Sequence, residues 1–347
     1  MKISSKKIII ATSFLSALVL LVVWIIYFYS IKNSLPEKQL EKSNQEYCLA
    51  DDEVASYIEK TEMSVRVSIE DKETKKEKLN FQIDNIDSKH YHPIELHRCG
   101  VYAIRKFNYD PKKSKQDAGF KVELWKYQYN KKGDDLIVLS EKGEDMVFKG
   151  YYSYDFRVDP AEIYVVLERG YLGEDDYALI VKNLKTKKDD FVFPIKKMID
   201  KYPDLVGSVR LDDWSDDGRY FWFDTHVGAI RLGFVRIDTT TWKTDIFPAP
   251  ENVMGGDALN FNTGYVTVHP DNIWFGVYEL EQEEKEKLRK EGIGSELYIE
   301  NLFTGERYFI DKTDEPLWFF KPKWISDTEL EYYLPSGEKK VYKIISS

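Results

Sequence analysis

A chain that writes the same strand, turn and strand every ~55 residues has few folds open to it, because each copy can bury its apolar face only against the next. Four segments of this sequence share such a pattern: RVDPAEIYVVL, DWSDDGRYFWF, TVHPDNIWFGV and KWISDTELEYY. They place Val158, Trp214, Val268 and Trp324 in register at intervals of 56, 54 and 56 residues. Six residues after each anchor stands Tyr164, Tyr220, Trp274 or Leu330, with Glu162, Gly218, Asn272 and Thr328 between them. Gly and Asn at that point suit the left-handed backbone of a tight hairpin. LHRCGVYAIRKF is a fifth copy, with Leu96, Gly100 and Tyr102 at the anchor, turn and second-strand positions. Its interval to Val158 is 62, lengthened by the polar loop Asp110 to Gly119.

A third apolar strand follows each hairpin, as in FKVELWKYQY, YALIVKNL, LGFVRID and ELYIENL, and usually a fourth, as in DLIVLS, DFVFPI and RYFI. Four strands per unit is the make-up of a propeller blade. The segment WSDDGRYFWF also resembles the WSPDG hairpin of TolB-like and related WD-type propeller repeats, with Asp216 where that family usually has Pro. The resemblance spans roughly residues 88 to 347. It implies an all-β propeller of five, or six, four-stranded blades that serves as a binding platform.

Ahead of the first repeat, Met63, Val65, Val67 and Ile69 alternate with polar residues, and Leu79, Phe81 and Ile83 alternate again after a charged turn, which predicts a hairpin. The last unit lacks a fourth strand, so an N-terminal strand is expected to complete it and tie the ring shut. Asp51 reads as the cap of a helix over Asp52 to Lys60, with Val54 and Ile58 one turn apart. A second, solvated helix is expected over Glu279 to Lys290, where Glu281/Lys285, Glu283/Lys287 and Glu286/Lys290 have ion-pair spacing.

From Ile8 to Phe28 only Thr12, Ser13 and Ser16 interrupt an apolar run of 21 residues. As a helix it is about 30 Å long, the thickness of the bilayer hydrocarbon. Bulky Trp24, Tyr27, Phe28 and Tyr29 stand where a cleaved signal peptide would carry small residues, so the segment reads as a retained anchor. The expected organisation is a cytoplasmic tail over 1–7, a transmembrane signal-anchor helix over 8–29, a tether over 30–46 and an extracytoplasmic domain over 47–347. Lys2, Lys6 and Lys7 are packed into the short tail, whereas Lys32, Lys38 and Lys42 are spread among glutamates, which favours the N-terminus inside.

The net charge of −10 argues against nucleic acid as a partner, since phosphate binding needs clustered Lys and Arg. With 43% hydrophobic and 15% aromatic residues the chain has ample material for a packed core. In an oxidising compartment the two cysteines, Cys48 and Cys99, are candidates for one structural disulfide. His90, His92, His97 and Cys99 are the dense group of metal-capable side chains, but their spacing matches no zinc pattern and no metal site is assigned. Asp212, Asp213, Asp216 and Asp217 lack the spacing of a calcium loop, and ordinary turn chemistry accounts for them.

No G-x-S-x-G elbow, Walker loop, dinucleotide fingerprint or H-E-x-x-H occurs, so neither a catalytic residue nor a cofactor is assigned. The functional expectation is a membrane-anchored binding or scaffold module at the cell envelope. Its partners would be the lipid bilayer, through residues 8–29, and a protein or glycan. The alternative is a carbohydrate-active enzyme with carboxylates in the propeller channel. The long segments Asp110 to Gly119, Gly170 to Asp176, Pro194 to Gly207, Pro248 to Asn260 and Glu279 to Gly294 would share one face, the expected partner surface.

Overall fold

The computed structural model describes residues 47–60, 64–84, 86, 94–107, 121–132, 135–138, 146–151, 155–169, 175–227, 230–250, 258–269 and 282–344. The anchor and tether segments, His90, His92 and the loop Asp110 to Gly119 lie outside them. No helix among the described residues is long and apolar enough to cross a membrane.

The described residues form an all-β array of six antiparallel sheets. The first holds β1 (Glu53–Lys60), β2 (Ser64–Asp71) and β3 (Glu77–Asp84) in that order. The second holds β4 (Ile94–His97), β5 (Gly100–Phe107), β6 (Lys121–Lys132) and β7 (Asp135–Val138), with β8 (Met146–Tyr151) also paired to β6. β9 (Phe156–Val158), β10 (Tyr164–Arg169), β11 (Ala178–Asn183) and β12 (Asp189–Phe193) make the third. The short helix α1 (Ile195–Lys201) leads to the fourth: β13 (Ser208–Trp214), β14 (Tyr220–Val227), β15 (Ile230–Asp238) and β16 (Lys243–Pro248). The fifth contains β17 (Tyr265–Val268), β18 (Ser295–Asn301) and β19 (Arg307–Thr313), with α2 (Gln282–Lys290) between β17 and β18. The sixth contains β20 (Lys323–Trp324), β21 (Glu329–Tyr333) and β22 (Lys339–Lys343).

Each sheet packs on the next through its own apolar layer. β14 shows how: Phe221 and Phe223 point back into the layer shared with the third sheet, and Trp222 points forward into the layer shared with the fifth. Both faces of the strand are covered, so alternating side chains all have to be apolar and YFWF reads as an unbroken run. Full burial of one such side chain contributes about 1.5–3 kcal/mol. The same logic joins Val65, Val67 and Ile69 to Val101 and Trp125, and Leu297 and Ile299 to Leu330 and Tyr332.

Three expectations need correction. Residues 53–60 form a strand, not a helix: Val54 pairs with Glu70 and Tyr57 with Val67. A spacing of four is common to one helical turn and to two strand repeats, so Val54 and Ile58 could not tell the two apart. The N-terminal strands do not complete the last sheet. β1, β2 and β3 pair with one another and bury their face on β4 to β6, and no sheet closes the array among the described residues. The TVHPDNIWFGV copy is also out of register. Val268 lies in the second strand of its hairpin, which turns at Asn260 to Gly264: Asn260 N–H donates to Tyr265 O, and Leu259 bridges Val266.

The registers anchored at Val158, Trp214 and Trp324 hold: Val158 pairs with Val165, Trp214 with Phe221 and Trp324 with Leu330. In the first copy Leu96 and Tyr102 lie in the expected strands, but the turn is Arg98–Cys99, and Gly100, expected at the turn, opens β5 opposite His97. The hairpin expected over 63–83 is β2 and β3, Met63 itself lying outside the described residues. Cys48 and Cys99 are disulfide-bonded, with Cα atoms 4.0 Å apart, fastening the start of the domain to that turn.

Candidate functional site: a channel between the first strands

The first strands of successive sheets face a common space. β13 supplies its centre, because Val209, Leu211 and Trp214 are buried in the sheet's own core and Arg210 and Asp212 must take the other side. Between Leu211 and Trp214 the pairing with β14 slips, and the extra residue of this bulge turns both Asp212 and Asp213 toward the channel. Two adjoining cavities result. One of about 680 Å³ is lined by Tyr57, Glu95, His97, Asp155, Arg157 and Asp213. The other, of about 660 Å³, is lined by Arg231, Asn260, Asn262, Lys323 and Trp324. Arg210, Asp212 and Phe261 line both, so Asp212 sits at their junction.

Asp212 keeps partial exposure to the cavities, but its Oδ2 has no accessible surface and no hydrogen-bond partner. Enclosure by the strands, and the nearby Asp224 charge, raise its carboxyl to about 7 against the pull of Arg231, Arg210 and Arg157. Asp224 on β14 is the opposite case. Burial alone would raise it, but the His226 ring, with Nδ1 3.5 Å from Oδ1, and the charges of Arg231 and Arg210 win and hold it below the ordinary carboxylate range. Arg231 approaches its Oδ2 at 3.0 Å through Nε and 2.9 Å through Nη2, and Arg210 donates to the same oxygen. Two guanidinium groups on one buried carboxylate compensate its lost hydration.

Arg157 on β9 fixes the other side. Its Nη1 donates to Asp155 Oδ1 at 2.6 Å, its Nε to Asp212 O at 2.7 Å and its Nη2 to Leu211 O at 3.3 Å, which bolts the third sheet to the bulge. Glu95 on β4 accepts Val158 N–H at 2.8 Å and lies 3.1 Å from His97 Nε2. Burial raises its carboxyl despite His97 and Arg157. Asp213 opens on the cavity, where enclosure raises its carboxyl as well.

Of the residues singled out from sequence, His97 reaches the channel and Cys99 is taken up in the disulfide. No cluster of three His, Cys, Asp or Glu side chains suited to a metal occurs among the described residues. Asp216 and Asp217 do serve the hairpin: Asp217 Oδ1 accepts Ser215 Oγ–H and Arg219 N–H, and Asp216 Oδ2 accepts from Asn262. Turn chemistry fails for Asp212 and Asp213, which belong to the channel strand. Glu95, Asp155, Arg157, Arg210, Asp224 and Arg231 were not anticipated. A signal existed in β14, where the carboxylate of Asp224 follows directly on the buried run Phe221, Trp222 and Phe223 and demands partners on the neighbouring strands.

No family model and no curated protein matches the sequence. Solved structures similar in shape include the beta-propeller domain of the Trilobed protease from Pyrococcus furiosus, at 9% identity and TM-score 0.44, over 87% of this chain and 85% of that one. Oligogalacturonate lyase from Vibrio parahaemolyticus is similar at 12% identity and TM-score 0.45, over 83% and 73%. TolB from Acinetobacter baumannii is similar at 11% identity and TM-score 0.31, over 84% and 77%. The chain spans 28% of the length of the tricorn protease, another similar structure. Likeness at these TM-scores decides nothing about what this chain binds or catalyses.

Proposed function

We propose that this is a membrane-anchored binding protein that holds a glycan strand in the channel between its first strands. In this reading residues 8–29 cross the bilayer, residues 1–7 stay in the cytoplasm, residues 30–46 form the tether, and residues 47–347 stand outside as a propeller whose blades are the six sheets. The observation that carries it is the pair of joined cavities that meet at Asp212. With volumes of about 680 and 660 Å³ and shared lining residues, they offer room for more than one sugar ring. Phe261, Trp324 and Tyr57 offer flat apolar rings beside carboxyl and guanidinium groups, the mixture that sugar rings with their C–H faces and hydroxyls require.

The test is titration calorimetry of the full chain in detergent against defined tetrasaccharides. Trp324→Ala is expected to weaken binding at least roughly tenfold, the loss of about 1.4 kcal/mol of ring contact. Absence of binding to every tetrasaccharide tried would end the reading. Protease added to spheroplasts checks the topology, since an external domain is digested and an internal one protected.

A second reading, a carbohydrate-active enzyme, is favoured by Asp212 alone. A carboxyl raised to about 7 keeps its proton near neutrality and can give it to a leaving oxygen. New reducing ends or unsaturated products from a bound oligosaccharide, lost in Asp212→Asn, would establish it.

A further inference from the structure

The first sheet is short of one strand, and the turns tell which. In the third and fourth sheets one kind of turn joins the third strand to the fourth. Asn183 Oδ1 accepts Lys185 N–H and Thr186 N–H, and Asp238 Oδ1 accepts Thr240 N–H and Thr241 N–H. Four residues on, Lys187 and Trp242 stand at positive φ and donate back to Asn183 O and Asp238 O. The same turn joins β2 to β3: Asp71 Oδ1 accepts Glu73 N–H and Thr74 N–H, and Lys75, at φ 56°, donates to Asp71 O. β2 and β3 are thus a third and a fourth strand, and β1 is a second. The first strand, which β9 and β13 supply to the channel in their own sheets, has no counterpart in this sheet among the described residues.

Its place is open. Lys72 N–H donates to Asp52 O, so the backbone groups of Asp52 face β2, and by the alternation of an antiparallel pair those of Val54 and Ser56 do too. Those of Ala55 and Tyr57 face the other way, where no backbone partner meets them among the described residues. Across from them stands β4. Ile94 O accepts the Tyr57 hydroxyl at 3.0 Å, so the N–H and C=O of Leu96, two residues on, also turn toward β1. Between the two strand edges lies a cavity of about 310 Å³ lined by Glu53, Val54, Ala55, Leu96, His97 and Arg98. It shares Leu96 and His97 with the channel cavity that Tyr57 lines, so one groove follows β1 into the channel.

We propose that an extended segment of a partner polypeptide enters this groove as the missing first strand and pairs with Ala55 and Tyr57 of β1. The chemistry of the edge selects a polypeptide. N–H and C=O groups repeating along a strand are satisfied by another backbone of the same pitch, which a sugar chain does not carry. The partner has an apolar residue opposite Ala55, because Ala55 and Leu96 both pack on the apolar layer between the first two sheets, and polar residues on either side of it. The tether of this chain is a poor occupant, since residues 30–46 contain Pro36 and seven charged residues and no alternating apolar run. The proposal is independent of the glycan reading, which concerns the channel beyond the groove.

Amide-resolved hydrogen exchange on the full chain in detergent reads the edge directly. In the protein alone, Ala55 and Tyr57 N–H are expected to exchange at least roughly tenfold faster than Val54 and Ser56 N–H. Equal protection of all four would mean that this chain already fills the place, and would overturn the proposal. The probes for the partner are a synthetic peptide copying the first strand Ser208–Trp214, SVRLDDW, and nonapeptides selected on the same protein from a random displayed library. A bound peptide is expected to slow exchange at Ala55 and Tyr57. Ala55→Pro removes a donor that points away from β2 and so breaks no bond of the sheet; it should leave the melting temperature unchanged and weaken peptide binding at least roughly tenfold in fluorescence anisotropy. Should proline disturb β1, N-methylation of the peptide amides that face β1 makes the same test with the protein untouched, and the same loss is expected. If neither the strand copy nor any library peptide binds, or if binding survives both Ala55→Pro and N-methylation, the proposal falls. A tetrasaccharide that slowed exchange at Ala55 and Tyr57 would assign the groove to the glycan and overturn it as well.

Discussion

The fourth and fifth sheets open with the same hairpin written in two ways. In WSDDGRY, Ser215 N–H donates to Tyr220 O and Gly218 N–H to Ser215 O, with Gly218 at φ 69°. In LNFNTGY, Asn260 N–H donates to Tyr265 O and Gly264 N–H to Asn260 O, with Gly264 at φ 73°. The length from anchor to second strand is the same, but the glycine has moved by one position. A side-chain acceptor at the first turn residue is common to both: Ser215 Oγ accepts Tyr220 N–H, and Asn260 Oδ1 accepts from Asn262 and Thr263. The hairpin is therefore defined by its bonding pattern and by its first polar residue, while the glycine can slide within it.

The largest test of this equivalence is Trp222→Ala. Trp222 is fully buried in the fourth sheet, stacks on Phe247, and donates its Nε1–H to Phe261 O inside the other hairpin at 2.8 Å. Removing it empties the layer between the two sheets, and a loss of about 3–5 kcal/mol is expected in urea unfolding. A loss below about 1.5 kcal/mol would show that the two hairpins do not depend on a shared layer.

The glycines give the next effect. Both are left-handed, so alanine at either is expected to cost about 1–2 kcal/mol in the same assay. Their surroundings differ: a Cβ on Gly218 would stand 3.1 Å from Asp159 Oδ2, and one on Gly264 only 2.5 Å from the Phe303 ring. Gly264→Ala should cost more, and adding Phe303→Ala should remove the excess, since Phe303 is an exposed ring. Equal costs without that rescue would mean that Phe303 swings aside freely.

Much of this was legible in the sequence. Strands of the third, fourth and sixth sheets follow from their anchors, because WSDDG-type turns sit directly between the two apolar strands they join. The fifth sheet misled because Pro270, Asp271 and Asn272 offer a more conspicuous turn than Phe261, Asn262 and Thr263, and propensity does not record which strand a segment will meet. The channel was hidden for a similar reason. Asp212 and Asp213 look like the polar lead-in to a turn, and only the bulge, a property of pairing with β14, turns them inward. Arg157 and Glu95 stand 55 and 117 residues from Asp212, and no local pattern joins them.

The bulge also separates the two sheets in their response to pH, since the residues before Leu259, the anchor of the second hairpin, are Asp257 and Ala258 and not a carboxylate pair. In the folded chain Asp212 takes up its proton below about 7, whereas the ordinary value is 3.8. The stability it contributes is thus fully present below about pH 4 and is lost as pH rises through 7. Other carboxylates, such as Asp224, are shifted the opposite way, so the quantity to measure is the difference between wild type and Asp212→Asn. Between pH 6 and 8 the wild type is expected to lose about 1.4 kcal/mol relative to the variant. Parallel profiles would show that Asp212 titrates as an ordinary aspartate.

The smallest effect is expected at the rim, where Asn262 of the second hairpin touches both of its neighbours. Its Nδ2 donates to Asp216 Oδ2 at 2.9 Å and to Asp327 Oδ1 at 2.6 Å, and its Oδ1 accepts Asp216 N–H at 2.8 Å. The equivalent polar residue of the first hairpin, Asp217, spends its carboxylate within its own turn, on Ser215 and Arg219. Asn262 therefore clips three sheets together where Asp217 serves one. Asp216 and Asp327 are exposed, so water replaces the lost partners and Asn262→Ala should cost only about 0.5–1 kcal/mol. Asp217→Ala should cost a similar amount, but its effect should stay local. Hydrogen exchange separates the two: Asn262→Ala is expected to speed exchange at Asp216 N–H, which loses its acceptor in the next hairpin, while Asp217→Ala speeds exchange at Arg219 N–H alone. If Asn262→Ala leaves Asp216 protected, the clip between sheets carries no energy and the hairpins differ in sequence only.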